Sequence, residues 1–283
     1  MNWRCGKSRF ALGDRTLVMG VLNLTPDSFS DGGSFFELQA AEAHALEMAE
    51  AGADIIDIGG ESSRPGAAPV EADEEIDRVV PLIELLAQKL PELCLSLDTT
   101  KAAVAKAGLA AGAEIINDIS GLTGDPLMLE TVAGSTAGCV IMHMLGTPRT
   151  MQNNPQYRDV VEELAAYLKQ RTAAAVEGGI ARERICLDPG IGFGKTAEHN
   201  LELLGRLKEF SRLGQPMLVG PSRKSFIGET LGLAVEERLE GTIAACVMAV
   251  MNGAAIVRVH DVKAVRRAVD FTDAVRRALR QEP

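Results

Sequence analysis

Asp98, Asn117, Asp188, Lys224, Arg258, His260 and Asn23 each stand where an apolar run gives way to a polar turn. Two carboxylates, Asp98 and Asp188, together with the Asn117 amide can pair with a flat heterocycle that offers several N–H donors and an acceptor edge. A buried site of this kind rejects analogues lacking the matching donors, because its own polar groups would be left unpaired. Lys224 can donate to a ring oxygen or nitrogen, and Arg258 can lay its guanidinium plane over the ring. His260 and Asn23 mark a second pole, suited to an anion or a hydrated metal.

The stretch Thr16–Gly33, TLVMGVLNLTPDSFSDGG, has the clearest form of this handover. A run that must be buried stops at Asn23, and a Pro/Ser/Asp/Gly segment carrying Phe29 follows, as when a strand fixes one polar residue and a loop closes on a ligand. Glu61–Gly66 (ESSRPG), Asp118, His143, Ser222 and Arg223 complete the set. Any single Asp at such a junction reads more readily as an N-cap, and it is the full set that points to a site. Thr99 or Thr100 already offers a cap before Lys101, which leaves Asp98 free for other work.

Gly190–Thr196 imitates a phosphate loop, but the position that a Walker A motif reserves for its first glycine is Pro189. It reads instead as a tight loop beside Asp188, with Phe193 as an apolar wall. His44 reads as solvated and His199 as a cap or an exposed side chain. His143 is as consistent with a satisfied core histidine as with a site residue. No HxH or Cys/His cluster has zinc spacing.

The elements needed to hold this ring are eight strands alternating with eight helices. Strands are expected at Thr16–Asn23, Asp54–Gly60, Leu93–Thr99, Glu114–Ser120, Gly138–Met144, Arg184–Pro189, Pro216–Ser222 and Ala255–Asp261. Helices are expected near Leu38–Ala51, Asp73–Leu90, Lys101–Ala111, Pro126–Ala133, Pro155–Glu177, Thr196–Leu213, Val235–Asn252 and Val262–Arg280. Near-continuous apolar strands imply a parallel sheet covered on both faces. AGAD at Ala51, AGAE at Ala111 and NGAA at Asn252 repeat one helix-ending glycine turn. Eight near-equal βα units favour a closed TIM (β/α)8 barrel over an open doubly wound sheet. Residues 1–15 read as a short N-terminal β-ribbon over the barrel floor, turning at Leu12–Arg15. The expected organisation is a single barrel domain over 1–283, with no internal linker.

Composition agrees with a large core, at 46% hydrophobic and 24% charged residues. A net charge of −10 argues against a broad nucleic-acid surface, although a few convergent cations can still bind a small anion. Five cysteines without a CxxC pair, mostly inside apolar runs, read as buried thiols in a reducing cytoplasm. Neither a signal-peptide core nor a membrane-length apolar run is visible.

NLTPDSFSDGG, GGESSRPGA, DTTKA, IINDISG, DPGIGFGK, GPSRKSFIG and RVHDV occur in this order almost from end to end. In these motifs the chain resembles the dihydropteroate synthase family, pterin-binding enzymes of folate biosynthesis that sulfonamides inhibit. The resemblance implies condensation of 6-hydroxymethyl-7,8-dihydropterin pyrophosphate with p-aminobenzoate. It implies that the pterin is held by Asp98, Asn117, Asp188 and Lys224, with Arg258 across one face. Pyrophosphate and a Mg²⁺ would lie near Asn23, Arg258 and His260, with Asn23 on the metal. p-Aminobenzoate would sit near Phe29, Ser63, Arg64, Pro65, Ser222 and Lys224. Asp98, Lys224, Arg258 and His260 would carry the chemistry. Ser63 stands where the family often has Thr, a loss of about one methyl of contact. The alternatives are a pterin-binding paralogue without synthase activity, or a pterin-dependent methyltransferase of the same superfamily that would need a corrinoid partner. Asp27, Phe29, Asp31, Arg64 and Pro65 favour the synthase, since a mere pterin binder has no use for aminobenzoate loops.

The seventh helix contains GTIAACVMAVMNG, apolar on nearly every side. Ala244, Ala245, Val247, Met248 and Met251 cannot all face the strands. A homodimer through the seventh and eighth helices is therefore expected.

Overall fold

Apolar runs bounded by Gly and Pro become short strands, and Ala/Glu/Leu stretches become the helices that cover them. The computed structural model describes residues 1–24, 34–62 and 66–280. In chain order its elements are β1 (Asn2–Cys5), β2 (Ser8–Ala11), β3 (Leu17–Asn23), α1 (Ser34–Glu50), β4 (Ile55–Gly59), α2 (Ala72–Lys89), β5 (Cys94–Asp98), α3 (Ala102–Ala111), β6 (Ile115–Asp118) and α4 (Met128–Ala133). There follow β7 (Gly138–Met142), α5 (Val160–Glu177), β8 (Ile185–Asp188), α6 (Ala197–Arg206), β9 (Leu218–Val219), α7 (Ser225–Leu231), α8 (Leu239–Met251), β10 (Ile256–Val259) and α9 (Val262–Arg280).

Strands β3 to β10 are parallel, in the order β8-β7-β6-β5-β4-β3-β10-β9. A bridge between Leu187 and Met217 closes the ring, with the Leu187 N–H donating to the Pro216 carbonyl at 2.9 Å. This is the expected (β/α)8 barrel. Alternate residues of each strand face its axis. Near the strand starts they are Leu17, Met19, Ile55, Cys94, Ile115, Val140, Cys186, Leu218 and Ile256, packed with Trp3 and Cys5 into one apolar plug. Two residues further along, the same faces carry Asp57, Ser96, Asn117, Met142, Asp188 and Arg258. The polar layer thus stands on a dry floor, and register places Asp98 beside Asn117 and Asn23 beside Gly59.

The N-terminal ribbon is present, but its turn lies elsewhere than expected. β1 and β2 pair antiparallel with Cys5 opposite Ser8, so the turn is Gly6–Lys7 rather than Leu12–Arg15. Gly6 has φ 55, as the first central position of a type II′ hairpin requires. Tertiary bonds fix it there: the Gly6 N–H donates to the Thr136 carbonyl at 3.0 Å, and Trp3 Nε1–H to the Arg184 carbonyl at 3.0 Å.

The repeated glycine turns behave as read. Gly52, Gly112 and Gly253 all have positive φ, and the next residue's N–H reaches back five residues to close the helix end. The helices differ from expectation in several places, among them the start of the seventh expected helix, which begins at Leu239 after a 3₁₀ turn at Val235–Glu237. α5 starts at Val160, where the Asp159 carboxylate caps the Val161 and Glu162 N–H groups at 3.0 Å. The expected Thr196–Leu213 helix tightens to a 3₁₀ run from Leu207. The short helix α7, following Lys224 and burying Phe226 and Ile227, had no counterpart among the eight expected helices. All five cysteines are free and buried. Among the described residues no helix is long and apolar enough to cross a membrane.

Candidate active site

Asp57 faces the barrel axis from the middle of β4 and is fully buried. Its Oδ2 accepts from Asn117 Nδ2 at 2.8 Å and from Arg258 Nε at 2.6 Å. The same guanidinium donates through Nη2 to Asp98 Oδ2 at 2.7 Å. Four residues from β4, β5, β6 and β10 are thereby joined into one network. Burial raises the Asp98 carboxyl to about 7; Arg258 pulls it down, while Asp57, Glu75 and Asp118 push it further up.

Asp188 ends β8 on the same face, buried, with Oδ1 accepting the Gly190 N–H at 2.7 Å. Burial raises its pKa against the lowering charges of Lys224, Lys195 and Arg258. Lys224 Nζ donates to the Ile191 carbonyl and lies 4.5 Å from the centre of the Phe193 ring. Burial lowers its ammonium to about 8, which Asp188 opposes. Arg223, just before it, has φ 58 and is clamped by Asp261 at 2.9 and 2.6 Å, so a strained turn aims Lys224. Ser222 Oγ accepts the His260 backbone N–H at 3.2 Å and stands 3.0 Å from Nδ1. Ser222 thereby holds both the backbone and the ring edge of His260.

The loop after β8 is braced from outside. Lys195, which sequence reasoning left without a role, is buried and donates to the Phe193 carbonyl at 2.9 Å, with His143 Nδ1 at 3.2 Å. Tyr157 Oη–H donates to the Gly194 carbonyl and Gln152 Nε2 to that of Gly192, both at 2.8 Å. Burial holds Lys195 well below the usual lysine range, and His143 falls to about 3 through burial and the neighbouring Lys195 charge. His143, edge-on to Tyr167, is thus a satisfied core histidine. Asp118 turns away from the axis and serves its own loop, accepting from Ser120 N–H and Oγ at 2.7 and 2.6 Å.

Of the residues anticipated, Asp98, Asn117, Asp188, Phe193, Ser222, Lys224, Arg258 and His260 come together with Asn23 at the C-terminal mouth. Phe29, Ser63, Arg64 and Pro65 lie outside the described residues. Beside Asp98 the mouth widens into a cavity of about 470 Å³ walled by Thr99, Ser120, Met144, Thr147 and Tyr167. A groove of about 550 Å³ around Lys169, Arg182 and Arg212 lies far from this chemistry, on the outer face of α5. Asp57 was missed, although a carboxylate inside the apolar run ADIIDIGG signals a buried partner.

The arrangement offers acceptors, an amide and cations to one planar polar ligand. The family model described as pterin binding enzyme matches residues 19–260. The chain belongs to the pterin-binding enzyme family. A relative named dihydropteroate synthase, from Synechocystis sp., is 49% identical across 95% of this chain and 93% of its own length. Among solved members of the family, dihydropteroate synthase of Xanthomonas albilineans with 4-aminobenzoic acid superposes at TM-score 0.90, 44% identical, covering 100% of this chain and 99% of that one. The Burkholderia cenocepacia enzyme complexed with 7,8-dihydropteroate superposes at 0.89, 44% identical, covering 99% and 98%. This pterin-binding barrel therefore shares its fold and nearly its full length with proteins named dihydropteroate synthase.

Proposed function

We propose that the chain is a dihydropteroate synthase, joining 6-hydroxymethyl-7,8-dihydropterin pyrophosphate to p-aminobenzoate with release of pyrophosphate. The observation that carries this reading is the network of Asp57, Asp98, Asn117 and Arg258 facing Asp188 and Lys224 across the mouth. Asp188, Asn117 and Asp98 accept from the pterin N–H groups, Lys224 donates to its acceptor edge, and Phe193 walls the ring. Arg258 has Nε and Nη2 engaged by carboxylates, which leaves Nη1 for the pyrophosphate. His260, oriented by Ser222, stands at the same pole. p-Aminobenzoate is assigned to Ser222 and Lys224 together with Phe29, Ser63, Arg64 and Pro65.

The reaction breaks the pterin CH₂–O bond, and the charge that develops on the pterin is stabilised by the Asp98 carboxylate. The amine attacks through its own lone pair, so no strong base is needed. This is consistent with a site built from binding and electrostatic groups. Mg²⁺ fits the second pole. A Cβ on Gly59 would come within 3.5 Å of both Asn23 Oδ1 and Asp98 Cβ, so the missing side chain leaves a hollow beside a hard amide oxygen. Mg²⁺ characteristically takes few protein oxygens and completes its shell with phosphate and water. Bound there through Asn23, it would neutralise charge on the leaving pyrophosphate.

Pyrophosphate release from the pterin substrate is expected to require p-aminobenzoate, one released per dihydropteroate formed. Tight pterin binding without amine-dependent release would replace this reading with that of a non-synthetic pterin binder. Five buried free thiols support a reducing, cytoplasmic setting.

The assembly we propose is a homodimer through α8 and α9. Met248 and Met251 on α8 are 49% and 44% exposed, and Phe271 and Leu279 on α9 are 72% and 60% exposed. Ala244 is exposed beside them while Ala245 is buried, so the apolar residues of this helix do not all face the strands. Phe271, Val275 and Leu279 recur at four-residue spacing and form one stripe, too apolar for open solvent. Light scattering at micromolar concentration is expected to give a dimer mass that Met248→Glu with Phe271→Glu reduces to a monomer. A monomer before substitution would remove the claim.

A further inference from the structure

Asp57 is a carboxylate where the barrel interior would accept another aliphatic side chain. Its flanking residues Ile56 and Ile58 belong to the outer core, and Ile55 to the floor plug. Burying a charge there is unfavourable without compensating partners. The compensation is one-sided: Asn117 and Arg258 both donate to Oδ2, while Oδ1 is buried with no hydrogen-bond partner among the described residues. A carboxylate needed only to neutralise an arginine would meet it fork to fork, using both oxygens. Here one oxygen joins two side chains that leave the network in different directions.

We propose that Asp57 is a positioning residue that sets the hydrogen-bond polarity of Asn117 and the tilt of the Arg258 guanidinium. An ionised carboxylate only accepts, so Asn117 must turn its NH₂ inward. The amide then offers Oδ1, an acceptor, to the ligand. Without Asp57 the two ends of the amide are nearly isosteric, and a half-turn about its last bond would present a donor to a donor. Arg258 is held by the same oxygen through Nε. Asp57 therefore links the pterin edge to the pyrophosphate pole without touching either. This inference rests on the pterin reading of the site.

Asp57→Asn keeps shape while removing the obligatory acceptor. Affinity for 6-hydroxymethylpterin, by titration calorimetry, is expected to fall about tenfold or more, with the KM for p-aminobenzoate changed less than about threefold. The exchange Asp57→Asn with Asn117→Asp is expected to recover at least about fivefold of that affinity. In the exchanged pair the amide, now on β4, donates to the carboxylate, now on β6, and accepts from Arg258. That carboxylate again offers an acceptor outward to the ligand. A ligand-free readout accompanies these. The Asn117 side-chain NH₂ signals, identified by their loss in Asn117→Asp, are expected to resist hydrogen exchange in the parent and to lose that protection in Asp57→Asn. Unchanged pterin affinity in Asp57→Asn would overturn the proposal. So would equal weakness of single and double variants with matching losses of thermal stability, which is the signature of a merely structural pair. If the parent protein released no pyrophosphate with p-aminobenzoate while the NH₂ protection still depended on Asp57, the synthase reading would fail and the positioning of Asn117 would stand.

Discussion

Arg258→Met is expected to lose about 3–5 kcal/mol of folding stability and about a thousandfold in kcat/KM for the pterin pyrophosphate. Two carboxylates share this one guanidinium, Asp57 at 2.6 Å and Asp98 at 2.7 Å. Removing it leaves both near each other and uncompensated inside the barrel. The linkage has a definite sign. Asp98 in the folded protein already lies above its unfolded value, at about 7, so its contribution is present below the unfolded carboxylate pKa and lost as pH rises through the folded one. With Arg258 gone the folded value rises further. The variant's deficit is therefore expected to shrink on acidification from pH 8 to 5 and to grow above pH 7. Arg258→Lys restores a charge but can engage only one carboxylate at a time, so it should recover stability before activity. Denaturant titration across pH, with initial rates at each pH, measures both effects. A methionine variant as stable as the parent at pH 8, or active within tenfold of it, would contradict this account.

Strand ends were legible in the sequence because they are local events. An apolar run must stop, and the residue at which it stops is carried to the mouth by period-two geometry, which is how Asn23, Asp98, Asn117, Asp188 and Arg258 could be read together. What depends on partners distant in the chain was not legible. Asp118 and His143 stand at equivalent strand ends, but Asp118 turns onto Ser120 and His143 packs between Tyr167 and Lys195. Asp57 lies mid-strand, and its partners are 60 and 201 residues away. The hairpin turn was misplaced for the same reason. Gly13–Asp14 has turn composition, but Gly6 is held by Thr136, and Ser8 N–H donates to the Glu114 carboxylate at 2.9 Å. Local composition proposes several turns, and tertiary hydrogen bonds select one.

Asp188→Asn is expected to weaken pterin binding by about 2–4 kcal/mol, roughly thirty- to several-hundredfold. The substitution is nearly isosteric, and the surrounding backbone dictates its outcome. The Gly190 N–H, 2.7 Å from Oδ1, needs an acceptor, so the new amide must give its oxygen to that bond. Its NH₂ then points into the site, toward the pterin N–H groups. A charged acceptor is replaced by a donor facing donors, and the amide cannot flip without orphaning the buried Gly190 N–H. A second consequence follows from charge. Asp188 raises the Lys224 pKa against burial, so removing it should move that ammonium below its value of about 8. If protonated Lys224 is the donor to the pterin, the alkaline limb of binding should shift to lower pH in the variant. Calorimetric titration of 6-hydroxymethylpterin between pH 6 and 9 tests both effects. Unaltered affinity at pH 7 would remove Asp188 from the pterin edge. Weakened affinity with an unmoved alkaline limb would keep Asp188 there but take the proton-dependent contact away from Lys224.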